Sequence, residues 1–430
     1  MFQVRNSNVF YGWYIVATTF FILMITLGIR NGVGVFVLPM SEEFGWSRSL
    51  ISLAGALGIL VNGISQPFLG YAYDKIGGRK LIIAGIFAIG VTIFLLSFTS
   101  NIIYFILIYG IIMSIAMSAG SITTAAALVS TWFHRKRSTA ISISSSGGSL
   151  GALLLVPLAT YLIIVFEWRI TWAILGLMCL GLVLPLAFVF LKNTPAELGL
   201  LPDGDQAEPG TVSSITEAQG PLIVSSWPQA FKSMPMWQLC GTYFVCGFTT
   251  LIMAFHFVPF VVESGFSPAT AASVFGVLSL MNTVGVLAIG PLADKFGNKD
   301  LLALLYAFRG LGYIALLLLP GQYGLWAFAL IAGSSWIATV PLTTSLTADV
   351  YGLRNVGTLS GLAFMSHQIG GSIGIQFGGI MRDLTGSYAI PFVTAVLLLG
   401  FASITSWAIQ EKKFSTRYRF SRAGSIPVEG

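Results

Sequence analysis

A polar turn that occurs twice between long apolar runs constrains this chain more than any other feature. Gly70, Asp74, Lys75, Gly77 and Arg79 are echoed 220 positions later by Gly290, Asp294, Lys295, Gly297 and Lys299, in the same order and spacing. A second echo, Gly147-Gly148-Ser149-Leu150-Gly151 against Gly370-Gly371-Ser372-Ile373-Gly374, has an offset of 223. Two concordant echoes imply two related halves. The runs around these turns are long enough to cross a bilayer, whose ~30 Å apolar core takes roughly 20 residues of helix. The polar breaks leave room for about twelve such spans.

With 55% hydrophobic and 9% charged residues and a mean hydropathy of +0.85, the chain carries more apolar surface than a soluble core can absorb. The expected fold is an all-α membrane protein of twelve transmembrane helices in two pseudo-symmetric six-helix bundles. Cys179, Cys240 and Cys246 fall in apolar runs without paired spacing, so no disulfide, metal site or cofactor is expected. The net charge of +6 needs no nucleic acid to explain it. Arg5 and polar residues precede a first apolar run too long for the core of a cleavable signal.

The spans divide the chain into an N-terminal bundle (1–191), a linker (192–233), a C-terminal bundle (234–410) and a tail (411–430). The linker holds Asp203, Asp205, Glu208 and Glu217, with a short amphipathic segment expected near Trp227. Helix 1 is expected from Gly12 to Met40, helix 2 ends at Tyr73, and helix 10 covers 324–348. Of 22 basic residues, 17 fall on the side of the N-terminus, linker and tail. Basic loops are cytoplasmic in most membrane proteins, so both termini are expected in the cytoplasm of a protein integral to the cytoplasmic membrane.

The Asp74 turn between helices 2 and 3, with its echo between helices 8 and 9, resembles the signature loop of the major facilitator superfamily. The resemblance covers the whole chain. Tyr11-Gly12-Trp13, Phe44-Gly45-Trp46-Ser47-Arg48, and Trp132-Phe133-His134-Arg135-Lys136-Arg137 with Ala140, Gly147 and Gly151 are similar to motifs of its monocarboxylate and oxalate/formate transporter group. It implies two bundles rocking about a central cavity lined by helices 1, 4, 7 and 10. One departure matters. Animal monocarboxylate transporters carry an aspartate and an arginine four residues apart on helix 8, where this chain has Asn282 and Val286. That arginine cannot be carried over.

An ionisable group inside a membrane costs a few kcal/mol and is a functional candidate by default. All acidic residues fall in turns, linker, tail or helix ends, whereas Arg30, Arg309, His256 and His367 fall within spans. A cationic interior favours an anionic substrate. Arg30, followed by Asn31, can offer a carboxylate two parallel hydrogen bonds; it could instead snorkel or bond backbone carbonyls. Arg30 and His256 each lie ~25–30 Å along their helices, on equivalent helices of the two halves, which sets them across the pseudo-twofold axis. His256 could equally cap a kink before Pro259.

Arg309 lies on peripheral helix 9, where pairing with carbonyls is the simpler expectation. His367 and Gln368 fall near mid-membrane, as a binding or gating pair. Polar stripes at Thr19, Thr26 and Arg30; Ser114, Ser118 and Ser121; Thr242, Thr249 and His256; and Trp336, Thr339, Thr343 and Thr347 lie on the four cavity helices, unless they only pack helices together. Asn62, Gln66 and Asn282 are weaker candidates.

The reading is a monomeric secondary transporter in the lipid bilayer, moving a small organic anion, a monocarboxylate, with a proton. Arg30, Asn31, His256, His367, Gln368 and Trp336 would bind substrate, with His256 and His367 carrying the proton. Asp74, Arg79, Asp294 and Lys295 would gate, the acids accepting from helix-start amides and pairing with neighbouring bases. Sodium coupling is disfavoured because a hard cation wants carboxylate oxygens. The alternatives are an antiporter or efflux carrier for a dicarboxylate or uncharged amphiphile, and a transporter-like ligand sensor. No phosphate loop, metal cluster or nucleophile–base pair suggests an enzyme.

Overall fold

A computed structural model describes residues 9–46, 48–205, 222 and 224–410. The regular structure among them is helical. In the first half, α1 (Gly12–Phe44) loosens into a 3-10 turn at Gly32–Phe36 just after Arg30 and Asn31. It is followed by α2 (Arg48–Ile76), α3 (Gly78–Phe98) and α4 (Ile102–Trp132). One long run, Arg137–Phe190, holds α5 (137–166) and α6 (168–190), separated where Glu167 turns to φ 67° and ψ 165°. The second half comprises α7 (Met234–Glu263), α8 (Pro268–Phe296), α9 (Asn298–Leu318), α10 (322–351), α11 (Val356–Thr385) and α12 (Ala389–Trp407). Within the linker, Trp227–Ala230 forms one short helix, near the expected segment; Glu208 and Glu217 lie outside the described residues, as does the tail.

The glycine echoes have a packing cause. α1 crosses α5, and α7 crosses α11, so closely that a Cβ on Gly151 would strike the Met24 carbonyl and one on Gly374 the Phe248 carbonyl. Small residues let membrane helices touch backbone to backbone, where dispersion replaces the missing hydrophobic drive.

The repeated turn has a cause at the interface between halves, where α2 packs on α11 and α8 on α5. A Cβ on Gly70 would meet the Gly357 backbone, and one on Gly290 that of Ser138 and Thr139. One helical turn later, Asp74 accepts from the amides of Gly357 (3.0 Å) and Thr358 (2.8 Å) and from the Thr358 hydroxyl (2.5 Å). Asp294 does the same for the amides of Ser138 (2.8 Å) and Thr139 (2.9 Å) and the Thr139 hydroxyl (2.5 Å). Each carboxylate caps the first turn of a helix in the other half, where free amides and the helix dipole favour negative charge. Gly77 and Gly297 then reverse the chain at φ 86° and 97°, a region open to glycine.

Three expectations need correction here. α2 runs on to Ile76, so Asp74 lies in its last helical turn and not in a loop. Among the described residues the ion pair across the interface is made by Arg137, bonded to Asp349 of α10. Arg79 bonds within its own half, to the Phe188 carbonyl (3.0 Å), while Lys295 lies over the neighbouring Phe296 ring (5.2 Å). Asn298 steadies Asp349 (2.7 Å) and accepts from Ser138 (2.8 Å). These contacts close the face that carries the linker. At the opposite face the ion pairs Glu43–Arg169 and Glu263–Arg382 stay within their halves.

Candidate functional site

Two helices at the centre are interrupted, at corresponding places. α4 passes through a π-helical stretch at Ile106–Met113 and breaks at Gly120 and Ser121, where Ser121 caps the continuing helix by accepting from the Thr124 amide (3.2 Å). α10, expected to be continuous, breaks between Gly333 and Thr339. Asn62 and Asn282 each precede their aspartate by 12 residues, and each attends one break. Asn62 donates to the Ser114 carbonyl (3.1 Å) and Ser118 hydroxyl (2.8 Å), with Gln66 donating to Ser121 (2.9 Å). Asn282 accepts from the Ile337 amide (2.8 Å) and donates across the interface to Ser149 (2.9 Å). Paired interruptions at the repeat interface mark the substrate path in repeat-built carriers.

The two arginines of the interior are bonded differently. Arg309 is 0% exposed. Its Nη2 donates to the carbonyls of Ser335 and Trp336 (2.7 Å) freed by the α10 break, and Nη1 donates to Cys246 Sγ (3.4 Å), Thr249 (3.3 Å) and Thr250 (3.0 Å). Its donors are spent on the protein itself. Arg30 is half-buried, and its side chain makes no hydrogen bond or ion pair among the described residues. Its charge is felt by Tyr109, in the π-helical stretch of α4. The neighbouring Asn31 is exposed.

His367 and His256 also part company. Gln368 donates across the interface to the Ile59 carbonyl of α2 (3.3 Å), which turns its own amide oxygen to His367 Nδ1 (3.0 Å). An amide oxygen only accepts, so Nδ1 carries the hydrogen and Nε2 is left as the base. The ring stacks on Phe364 (5.5 Å) and packs against Tyr243 (5.0 Å), with Cys246 alongside. His256 is engaged at both nitrogens inside its own half: Nε2 with the Ile375 carbonyl (2.9 Å), Nδ1 with the Tyr388 hydroxyl (3.4 Å). No bond joins it to Arg30 among the described residues.

Trp336 is buried at the α10 break, 5.9 Å from the Arg309 guanidinium. The expected wet stripes are spent on helix chemistry in this conformation. Thr19, Thr26, Thr242, Thr249, Thr343 and Thr347 each donate to the carbonyl one turn back. What sequence reasoning missed was the interface pair Arg137–Asp349 and the kinship of Asn62 with Asn282, which their common spacing from the repeated aspartates would have revealed.

Two six-helix halves, related by an internal repeat, capping one another's helices and meeting at paired broken helices, define a membrane transporter of the alternating-access architecture. The chain belongs to the Major Facilitator Superfamily, whose family model matches residues 19–375. It is 28% identical over 399 residues to the uncharacterized MFS-type transporter YcxA of Bacillus subtilis, covering 91% of this chain and 93% of that protein. It is 26% identical over 394 residues to monocarboxylate transporter 13 of Bos taurus, covering 90% and 86%. Among solved structures, the fold is similar to the proton:xylose symporter XylE (TM-score 0.71, 15% identity, 92% of this chain and 95% of that one). It is also similar to the E. coli fucose:proton symporter FucP (TM-score 0.68, 16% identity, 91% and 97%).

Proposed function

We propose that this transporter carries a small organic anion, a monocarboxylate, together with a proton. The observation that carries the reading is Arg30, a half-buried guanidinium with no hydrogen-bonding partner among the described residues, in an interior whose acids stand at helix ends. A carboxylate would supply the missing acceptor with a charge-assisted, bidentate bond. The similarity to proteins named as monocarboxylate transporters supports the same substrate class.

His367 is the better proton carrier of the two histidines. Its Nε2 is the proton-accepting nitrogen, with the Cys246 thiol alongside, and its Nδ1 partner Gln368 reaches the opposite half, so a change of charge is passed to the surface that must open. His256, held at both nitrogens, serves the α7–α11 contact. Asp74 and Asp294, with Arg137 and Asp349, form the gate on the linker face. The distribution of basic residues supports a cytoplasmic linker face with both termini inside, and the internal repeat supports 1–191 and 234–410 as the moving halves.

Proteoliposome uptake tests the reading. Labelled monocarboxylate should accumulate when the outside is made acidic, and a cationic or neutral analogue should not. Uptake that ignores the pH difference would remove the proton from the cycle; uptake of cations alone would remove the anion.

A further inference from the structure

Arg79 was expected to gate, and its actual position suggests something else. It opens a groove of about 430 Å³ between α3 and α6, lined by Arg79, Lys80, Ile83, Phe87, Leu184 and Phe188. The two cations stand at the linker-face end of α3. Ile83 and Phe87 lie one and two turns deeper, with Leu184 and Phe188 beside them on α6. Phe87 and Phe188 are 55% and 53% exposed, so the groove opens to the bilayer and not to the centre of the protein. Arg79 Nη2 holds the Phe188 carbonyl and its amide donates to Asn193 (2.8 Å). Its Nε–H, by contrast, is buried without an acceptor among the described residues. A buried donor left unpaired costs free energy that a ligand oxygen would recover.

We propose that this groove binds one anionic phospholipid, the phosphate held by Arg79 and Lys80 and an acyl chain lying along Phe87 and Phe188. Charge complementarity commits the site to this occupant: two cations crown an apolar slot, and among the described residues no acidic side chain lines it. The other half provides an internal contrast. Lys299, the repeat equivalent of Arg79, donates to the Trp407 carbonyl (3.1 Å), just as Arg79 does to that of Phe188. The equivalent of Lys80, however, is Asp300, 3.8 Å from Lys299. There the local charges cancel, so one lipid is expected and not two.

Native mass spectrometry of the purified full-length chain tests this, with phosphatidylglycerol and phosphatidylcholine titrated in parallel. One phosphatidylglycerol should be retained at least tenfold better than phosphatidylcholine, and Arg79→Gln and Lys80→Gln should each lower that retention about tenfold. Lys80 is exposed, so its variant stays folded, as gel filtration will verify, even if Arg79→Gln does not. Equal retention of the two lipids, or Lys80→Gln retaining phosphatidylglycerol as wild type does, overturns the proposal. So does displacement of the lipid by millimolar inorganic phosphate, which would mean that the cations hold a bare anion and the apolar slot contributes nothing.

Discussion

Arg30 and Arg309 are the same residue type in similar apolar helices, and only their bonding separates them. Arg309 is the counterpart of broken backbone; Arg30 has donors to spare. Arg30→Ala should therefore weaken monocarboxylate binding by about 1.5–3 kcal/mol, roughly 10- to 150-fold, with unchanged thermal stability, and Arg30→Lys should recover part of it. Isothermal titration on purified variants reads the affinity and a thermal melt reads the stability; normal affinity in Arg30→Ala would move the anion site to His367 and Gln368. For the histidines, His367→Gln should abolish pH-driven accumulation while sparing counterflow exchange, and His256→Gln should lower the melting temperature and keep coupling. The reverse pattern would exchange their roles. The sequence made the four interior charges legible because each interrupts an apolar run. It did not make their partners legible, because Ser335, Trp336 and Ile375 contribute carbonyls, which every residue has.

At the scale of elements, the break in α10 is stabilised from outside itself. Arg309 takes two of its free carbonyls, and Asn282 takes the amide of Ile337. Arg309→Met should leave those carbonyls buried and unpaired, at about 1–3 kcal/mol each, and so lower the melting temperature in detergent more than it changes substrate affinity. If Arg309→Met melts as wild type does, water or a rearranged side chain must satisfy the break. This is why the helix was expected to be continuous: no proline lies between Gly333 and Thr339, and the interruption is specified by residues 26 to 55 positions away. The glycine echoes behaved differently. Close crossing of α1 on α5 and of α7 on α11 requires small residues at fixed sites, so packing wrote itself into the sequence.

For the whole molecule, the two-half plan was readable because the caps at Asp74 and Asp294 demand the same spacing twice. Which face is closed was not readable, since an aspartate in sequence names no partner. Asp74→Asn with Asp294→Asn should weaken both caps by about 1 kcal/mol each and shift the population toward opening of the linker face. Distances between spin labels across that face should lengthen and broaden; an unchanged distribution would show that Arg137 and Asp349 suffice to hold it. A cysteine placed at Asp205 should be labelled in intact cells only after permeabilisation, and one at Glu43 without it; labelling at Asp205 from outside would invert the orientation.

The reciprocal caps also say what a half is. Helices α5 and α11 each begin on a carboxylate that belongs to the other bundle, so neither bundle alone can finish its own secondary structure. The protein is in effect a heterodimer folded from one chain, and its linker supplies local concentration. Cut within 206–221 and co-expressed, the two fragments should find one another and assemble, whereas either fragment by itself should fray at the first turn of α5 or α11.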